Sequence, residues 1–180
     1  MEKIGVIGCG TMGHSIALSA AWAGYDVIMQ GVDSADIDRG LASMHGKLQV
    51  LIQNGLIAEV ESQRIQSSVQ TTTSIVEVVE DRTFIIEAIP ENIELKKRIF
   101  KQLDSLCEVD VILASNTSAL SPTEIASGTN HPDRTVITHF WHPAHLIPLV
   151  EAVRGEQTKD HTVDRALKLV DDRNKKPIKE

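Results

Sequence analysis

His139 closes the apolar run Val136-Ile-Thr-His139, and Glu151 follows it by twelve residues. An imidazole titrates near neutrality, which suits it to taking a proton from an alcohol. Glu151 comes after Pro148-Leu-Val, an extended stretch that can return antiparallel and bring its carboxylate to the ring. A carboxylate placed there orients the imidazole and stabilises its charged form. The competing arrangement is a histidine satisfied by a glutamate with no chemistry attached. His139, His142 and His145 recur at every third position, which superficially suggests a metal cluster. Pro143 and Pro148 oppose a helix here, and three-residue steps along an extended segment splay the rings apart, so no metal is expected.

A second chemical feature lies at the amino terminus. Lys3-Ile-Gly-Val-Ile7 runs into Gly8-Cys-Gly-Thr-Met-Gly13, and the helix-prone Ser15-Ile-Ala-Leu-Ser-Ala-Ala-Trp22 follows. In a strand–turn–helix of this kind Gly8 permits the tight turn and Gly10 lets a pyrophosphate approach the backbone. Gly13 lets the helix pack closely on its strand. Thr11 and Met12 complete the turn, whose free N–H groups and helix dipole point at the anion. An Asp or Glu usually follows the second strand of such a unit and accepts from the adenosine ribose hydroxyls. Spacing selects Asp33, twenty residues beyond Gly13, although Asp33-Ser34 also reads as a helix N-cap. The nearest Arg is Arg39, so the spacing favours NAD over NADP.

These groups need a sheet to hold them. Apolar runs at Ile4–Ile7, Tyr25–Met29, Phe84–Ala88, Val111–Ser115 and Val136–His139 alternate with amphipathic stretches, the pattern of a parallel sheet covered by helices. Further strands are expected near Leu149–Val153 and Lys176–Ile178, and helices over Gly13–Ala23, Asn92–Leu106 and His161–Val170. The polar stretch Ser34–Gln70 predicts two helices, about Ala35–Asn54 and Glu59–Ser67, projecting from the sheet as a hairpin, with a plain packing helix pair as the alternative. The fold class is therefore α/β, a Rossmann-like doubly wound and mostly parallel sheet with an inserted helical hairpin. Ligands of open α/β sheets bind beyond the carboxyl ends of the strands. Three polar groups stand at such ends: Glu87-Ala-Ile-Pro-Glu91-Asn92 with Lys96, Ser115-Asn-Thr-Ser118, and His139-Phe-Trp-His142-Pro143.

Composition limits the alternatives. The chain has 180 residues, of which 42% are hydrophobic, enough for one good core. A formal charge of −7 without a basic stripe argues against nucleic acid. No apolar run approaches the ~20 residues of a membrane span, and no signal pattern opens the chain. Cys9 and Cys107 lie far apart without CxxC spacing, so a reduced, cytoplasmic setting is expected.

Taken in order, Gly8-Cys-Gly-Thr-Met-Gly13, Glu87-Ala-Ile-Pro-Glu-Asn-Ile-Glu-Leu-Lys96, Ser115-Asn-Thr-Ser118 and His139-Phe-Trp-His-Pro143 with Leu149-Val-Glu151 resemble the NAD-binding domain of the 3-hydroxyacyl-CoA dehydrogenase family. The resemblance covers nearly the whole chain, and it implies oxidation of a 3-hydroxyacyl-CoA to the 3-oxoacyl-CoA with NAD as hydride acceptor. It makes His139 the general base and Glu151 its orienting partner, and it places Ser118 on the substrate hydroxyl. Glu91, Lys96 and Asn116 then line the cofactor side, and Lys47 is a weaker candidate for coenzyme A phosphates. Three departures stand out. Gly31 occupies the position of the family's ribose acid. Its loss weakens cofactor binding by ~1.5–3 kcal/mol unless Asp33 substitutes, and Gly31→Asp would then tighten binding. His142 replaces an Asn that positions substrate or nicotinamide. The family also continues into an all-helical domain that pairs subunits and closes over substrate, whereas this sequence stops before it. The implied partners are a small-molecule acyl-CoA or a free hydroxy acid such as gulonate or carnitine, and either a second copy or a separate helical domain. A non-catalytic dinucleotide-binding fragment is the remaining alternative.

Overall fold

The computed structural model describes residues 2–171 and 176–179. The first strand, β1 (Lys3–Ile7), leads into α1 (Thr11–Trp22), and β2 (Asp26–Gln30) follows. A hairpin of α2 (Ser34–Gln53) and α3 (Glu59–Ser67) precedes β3 (Val69–Thr72). Next come α4 (Ile75–Val79), β4 (Phe84–Glu87), α5 (Ile93–Leu106), β5 (Ile112–Ser115) and α6 (Pro122–Ile125). The described chain closes with β6 (Thr135–Phe140), β7 (Leu149–Arg154), α7 (Asp160–Asp171) and β8 (Lys176–Lys179). The strands form one sheet in the order β3-β2-β1-β4-β5-β6-β7-β8. The first six in chain order run parallel, and β7 turns back antiparallel on β6 with β8 parallel to it.

The period-two alternation of each strand feeds both faces of the sheet. Ile4, Val6, Phe84, Ile86, Ile112, Ala114 and Val136 pack into one apolar cluster with α1, α2 and α7. Ile7, Ile85, Leu113 and Ile137 pack on the other side with Phe100 and Leu103 of α5 and Ile125 of α6. Strand order reverses between β1 and β4, which opens a crevice at their carboxyl ends.

Two expectations need correction. The helical pair does not project: Met44, Leu48, Leu51, Ile57 and Ile65 share one apolar cluster with Ile16, Ala17 and Leu18 of α1, so the hairpin is a packed crossover. Its far end is strand β3, unforeseen because Val69-Gln-Thr-Thr is an edge strand whose side chains are half-buried or exposed. The polar stretch Asp171–Glu180 lies partly outside the described residues.

Asp104 of α5 ties that helix to the approach to β6. Its Oδ1 accepts from Arg134 Nη2 at 2.8 Å, and its Oδ2 from the Asn130 N–H at 2.6 Å. Burial alone would raise this carboxyl's pKa, but the Arg134 guanidinium and the Asn130 N–H outweigh it and hold the group below its ordinary value. A carboxyl lowered by folding stabilises the protein above its unfolded pKa, and the contribution is lost as pH falls through the folded value. Asp104→Asn is therefore expected to cost about 1.5–3 kcal/mol at neutral pH. The deficit relative to wild type should shrink on acidification through and below the carboxylate range, as read by urea midpoints.

Candidate active site

Register aligns the ends of four strands. Ile7 pairs with Glu87, Glu87 with Ser115, and Ser115 with Ile137, so the three polar segments and the glycine turn emerge along one edge of the sheet. At Gly8 the chain takes φ +95°, a left-handed conformation that glycine adopts without strain. Gly13 comes so close to the strand end that a Cβ there would stand 1.9 Å from Gly8 O, which excludes any side chain. Gly10, by contrast, faces open space and caps α1 without a side-chain hydrogen bond. The first bond of this helix runs from His14 N to Gly10 O, leaving the Thr11, Met12 and Gly13 N–H groups without an acceptor in the helix. An uncluttered helix N-terminus with no acidic residue in its first turn fits a dinucleotide pyrophosphate.

Behind the turn, His14 is buried in the first turn of α1, with Nδ1 3.3 Å from Cys9 O and Nε2 2.8 Å from Lys47 Nζ. Burial and the Lys47 ammonium keep its pKa below the ordinary histidine value, so the ring is neutral and its Nε2 accepts from Lys47. Lys47 is thereby held at the glycine turn by a partner the sequence did not suggest.

Beside the crevice, Glu87 is fully buried at the end of β4. Its Oε1 accepts from Lys96 Nζ at 2.7 Å and from the Ile89 N–H at 2.7 Å, and its Oε2 from Ser115 Oγ at 2.5 Å. Lys96, expected to line the cofactor cleft, belongs to this buried network. Its side chain is 1% exposed and bridges Glu87 to Glu91 Oε2, 3.4 Å away. Glu91 in turn accepts from Thr117 Oγ1 and from the Ser118 N–H. Burial would raise the Glu91 pKa, but these bonds and Lys96 lower it below the usual carboxylate value. The result is a chain of hydrogen bonds from β4 through α5 to the loop that presents the exposed Ser118. Glu87 and Thr117, named in the sequence only as members of polar groups at strand ends, are the links that tie Ser118 to this network. The available signal for it was Lys96, which falls in the apolar stripe of Phe100 and Leu103 and requires a buried carboxylate.

The pair read first from the sequence meets as expected. His139 and Glu151 stand directly opposite in the antiparallel β6–β7 ladder, with Nδ1 2.6 Å from Oε2. In the tautomer whose Nδ1–H donates to Glu151, Nε2 is the ring's acceptor. The ring is about one-fifth exposed and lies 5.6 Å from that of Trp141. Asn116 fixes this strand end, since its Oδ1 accepts from the Phe140 N–H at 2.8 Å while its own N–H donates to Glu87 O at 2.8 Å. His142 is exposed just beyond, before a cis peptide to Pro143. Among the described residues no group of three His, Cys, Asp or Glu side chains converges to hold a metal. Asp33 is the N-cap of α2, its Oδ1 accepting from the Asp36 N–H at 2.7 Å. Among the described residues no helix is long and apolar enough to cross a membrane.

Comparison with known proteins matches residues 3–180 to the family model described as "3-hydroxyacyl-CoA dehydrogenase, NAD binding domain". A 3-hydroxybutyryl-CoA dehydrogenase of Clostridioides difficile is 40% identical over 176 residues, 98% of this chain and 62% of that protein. The crystal structure of (S)-3-hydroxybutyryl-CoA dehydrogenase from Ralstonia eutropha superposes with a TM-score of 0.96 at 34% identity, covering 99% of this chain and 63% of the other. A pyridine-carboxylic acid dehydrogenase titled an NAD+ dependent dismutase is 31% identical with a TM-score of 0.88, over 99% of this chain and 57% of its own. The chain thus spans about three-fifths of the length of these relatives.

Proposed function

The chain belongs to the 3-hydroxyacyl-CoA dehydrogenase family as its NAD-binding domain, and from that premise we propose that it takes part in oxidising a 3-hydroxyacyl-CoA thioester to the 3-oxoacyl-CoA. The observation that carries this reading is the 2.6 Å contact between His139 Nδ1 and Glu151 Oε2, at the strand edge that also holds the glycine turn. When bound, NAD supplies the acceptor for the hydride that leaves the hydroxyl-bearing carbon. His139 Nε2 takes the hydroxyl proton as the carbonyl forms. Glu151 holds the ring in that tautomer and stabilises the imidazolium. The Ser118 hydroxyl, set by Glu91 and Lys96, bonds the substrate oxygen. Gly8, Gly10, Thr11, Met12 and Gly13 hold the pyrophosphate, with Asn116 and His142 on the nicotinamide side.

The further length of the relatives fits a separate helical domain that closes over the acyl-CoA and pairs subunits, and that completes the site. Two cysteines outside any disulfide fit a cytoplasmic protein. A free hydroxy acid is the second reading, favoured by the likeness to a dehydrogenase of a pyridine carboxylic acid.

Two measurements test the proposal. NADH fluorescence is expected to titrate to saturation, and no saturable binding up to millimolar cofactor removes the reading. Turnover of 3-hydroxybutyryl-CoA against free 3-hydroxybutyrate then decides between thioester and free acid.

A further inference from the structure

Gly31, just past β2, stands where a ribose-reading acid is expected, and the structure leaves no room for one. A Cβ on Gly31 would lie 2.7 Å from Ile37 Cγ1, 2.8 Å from Cys9 Sγ and 3.3 Å from Ile37 N. Helix α2 fills this space from the opposite side. A Cβ on Gly40, also on α2, would come within 2.9 Å of Cys9 O, so this helix lies directly against the glycine turn. One turn earlier, Asp36 reaches back to the turn. Its Oδ2 accepts from the Cys9 thiol at 3.0 Å and from the Val32 N–H at 3.3 Å, and its Oδ1 takes Arg39 Nη2 at 3.1 Å. A carboxylate therefore stands beside both the second residue of the glycine turn and the first residue past Gly31. We propose that Asp36 is the acid that accepts from the adenosine ribose hydroxyls in this chain, in place of the side chain Gly31 cannot carry, and that it rejects a 2′-phosphate there.

The inference rests on the proposed dinucleotide site and adds the residue that sets its preference at the adenosine end. A carboxylate offers about four lone-pair positions, of which three are used. The Arg39 contact is the displaceable one, because that side chain is 68% exposed and a surface pair contributes little. The Asp36 side chain is itself 23% exposed, so a ligand hydroxyl can reach it. Asp33 is the rival acid, but its Oδ1 is engaged in capping α2. The group is held as an ion: the Cys9 thiol bond, outweighing its slight burial, lowers the Asp36 pKa, while burial and Asp36 push the thiol up to about 12 and keep it a donor.

The test is a set of fluorescence titrations with NADH, its 2′-deoxyadenosine analogue and NADPH, on wild type, Asp36→Asn and Asp33→Ser, each checked by thermal melting. Wild type is expected to prefer NADH over the deoxy analogue by about tenfold, the scale of one charge-assisted hydrogen bond. Asp36→Asn should lose most of that preference by weakening NADH more than the deoxy analogue, and should gain NADPH affinity as Arg39 is released. Asp33→Ser keeps a capping side chain and should keep the preference. Asp36→Ser provides the same comparison if the Asn variant melts early. Gly31→Asp is expected to weaken NADH binding, the reverse of its sequence-based expectation, because its Cβ displaces Cys9 and Ile37.

A wild-type ratio near one overturns the role of Asp36, as does an unchanged ratio in Asp36→Asn. Equal loss of NADH and its deoxy analogue in that variant, or collapse of the ratio in Asp33→Ser, also overturns it. Failure of wild type to bind NADH at all is a different result, which removes the dinucleotide reading itself.

Discussion

With His139 replaced by Gln, reduction of NAD by 3-hydroxybutyryl-CoA is expected to fall by about two to four orders of magnitude in kcat, while NADH still binds. Glutamine can reach Glu151 with its amide N–H and so preserves the β6–β7 contact, where Nδ1 now stands 2.6 Å from Oε2. An amide, however, cannot take up the hydroxyl proton. The loss therefore falls on the chemical step and leaves the glycine turn, separated from β6 by β4 and β5, undisturbed. A second substitution separates the acid's role from plain packing. Groups that act as one unit show strongly non-additive losses. Glu151→Gln alone is expected to lower kcat because the ring loses its orienting charge. Added to His139→Gln it should cost nothing further. Full additivity would mean that Glu151 acts independently of the ring. Unchanged turnover in His139→Gln would remove His139 as the base and leave the pair a structural one.

This pair was legible in the sequence because it depends on short-range facts. An apolar strand ends in His139, a proline-bounded stretch returns, and period-two alternation puts Glu151 on the same side of the ladder. The glycine turn was legible for the same reason, since strand, turn and helix are consecutive. What the sequence hid depends on contacts between distant segments. Asp36 reads as an ordinary first-turn acid until α2 is seen lying against Cys9. Lys47 reads as a solvated lysine until His14 is found at its ammonium. The edge strand β3 escaped because a strand with half its surface wet carries Gln and Thr as readily as Val. The burial of Lys96 was hidden for another reason: a charged residue beside a polar motif draws attention to a ligand role, whereas its i, i+4 and i+7 relation to Phe100 and Leu103 also places it against the core.

That burial makes Lys96 a damaging position to neutralise. Lys96→Met leaves Glu87, 0% exposed, with the Ser115 hydroxyl and the Ile89 N–H but no opposite charge. Removing one partner of a buried ion pair costs about 3–5 kcal/mol, or roughly 6–20 °C in Tm for a chain of this size. The stability loss alone would not distinguish a core pairing from a functional one. The double variant Lys96→Met with Glu87→Leu makes that distinction, because replacing both charges with apolar groups of similar volume removes the unpaired buried charge. Its Tm is expected to recover most of the loss. Cofactor binding and kcat are not, since Glu91 still lacks the ammonium now 3.4 Å away and the Thr117–Ser118 loop loses its anchor to α5. Recovery of both stability and activity would reduce Lys96 and Glu87 to a packing pair. Recovery of stability alone assigns them to holding Ser118 where the substrate hydroxyl is received.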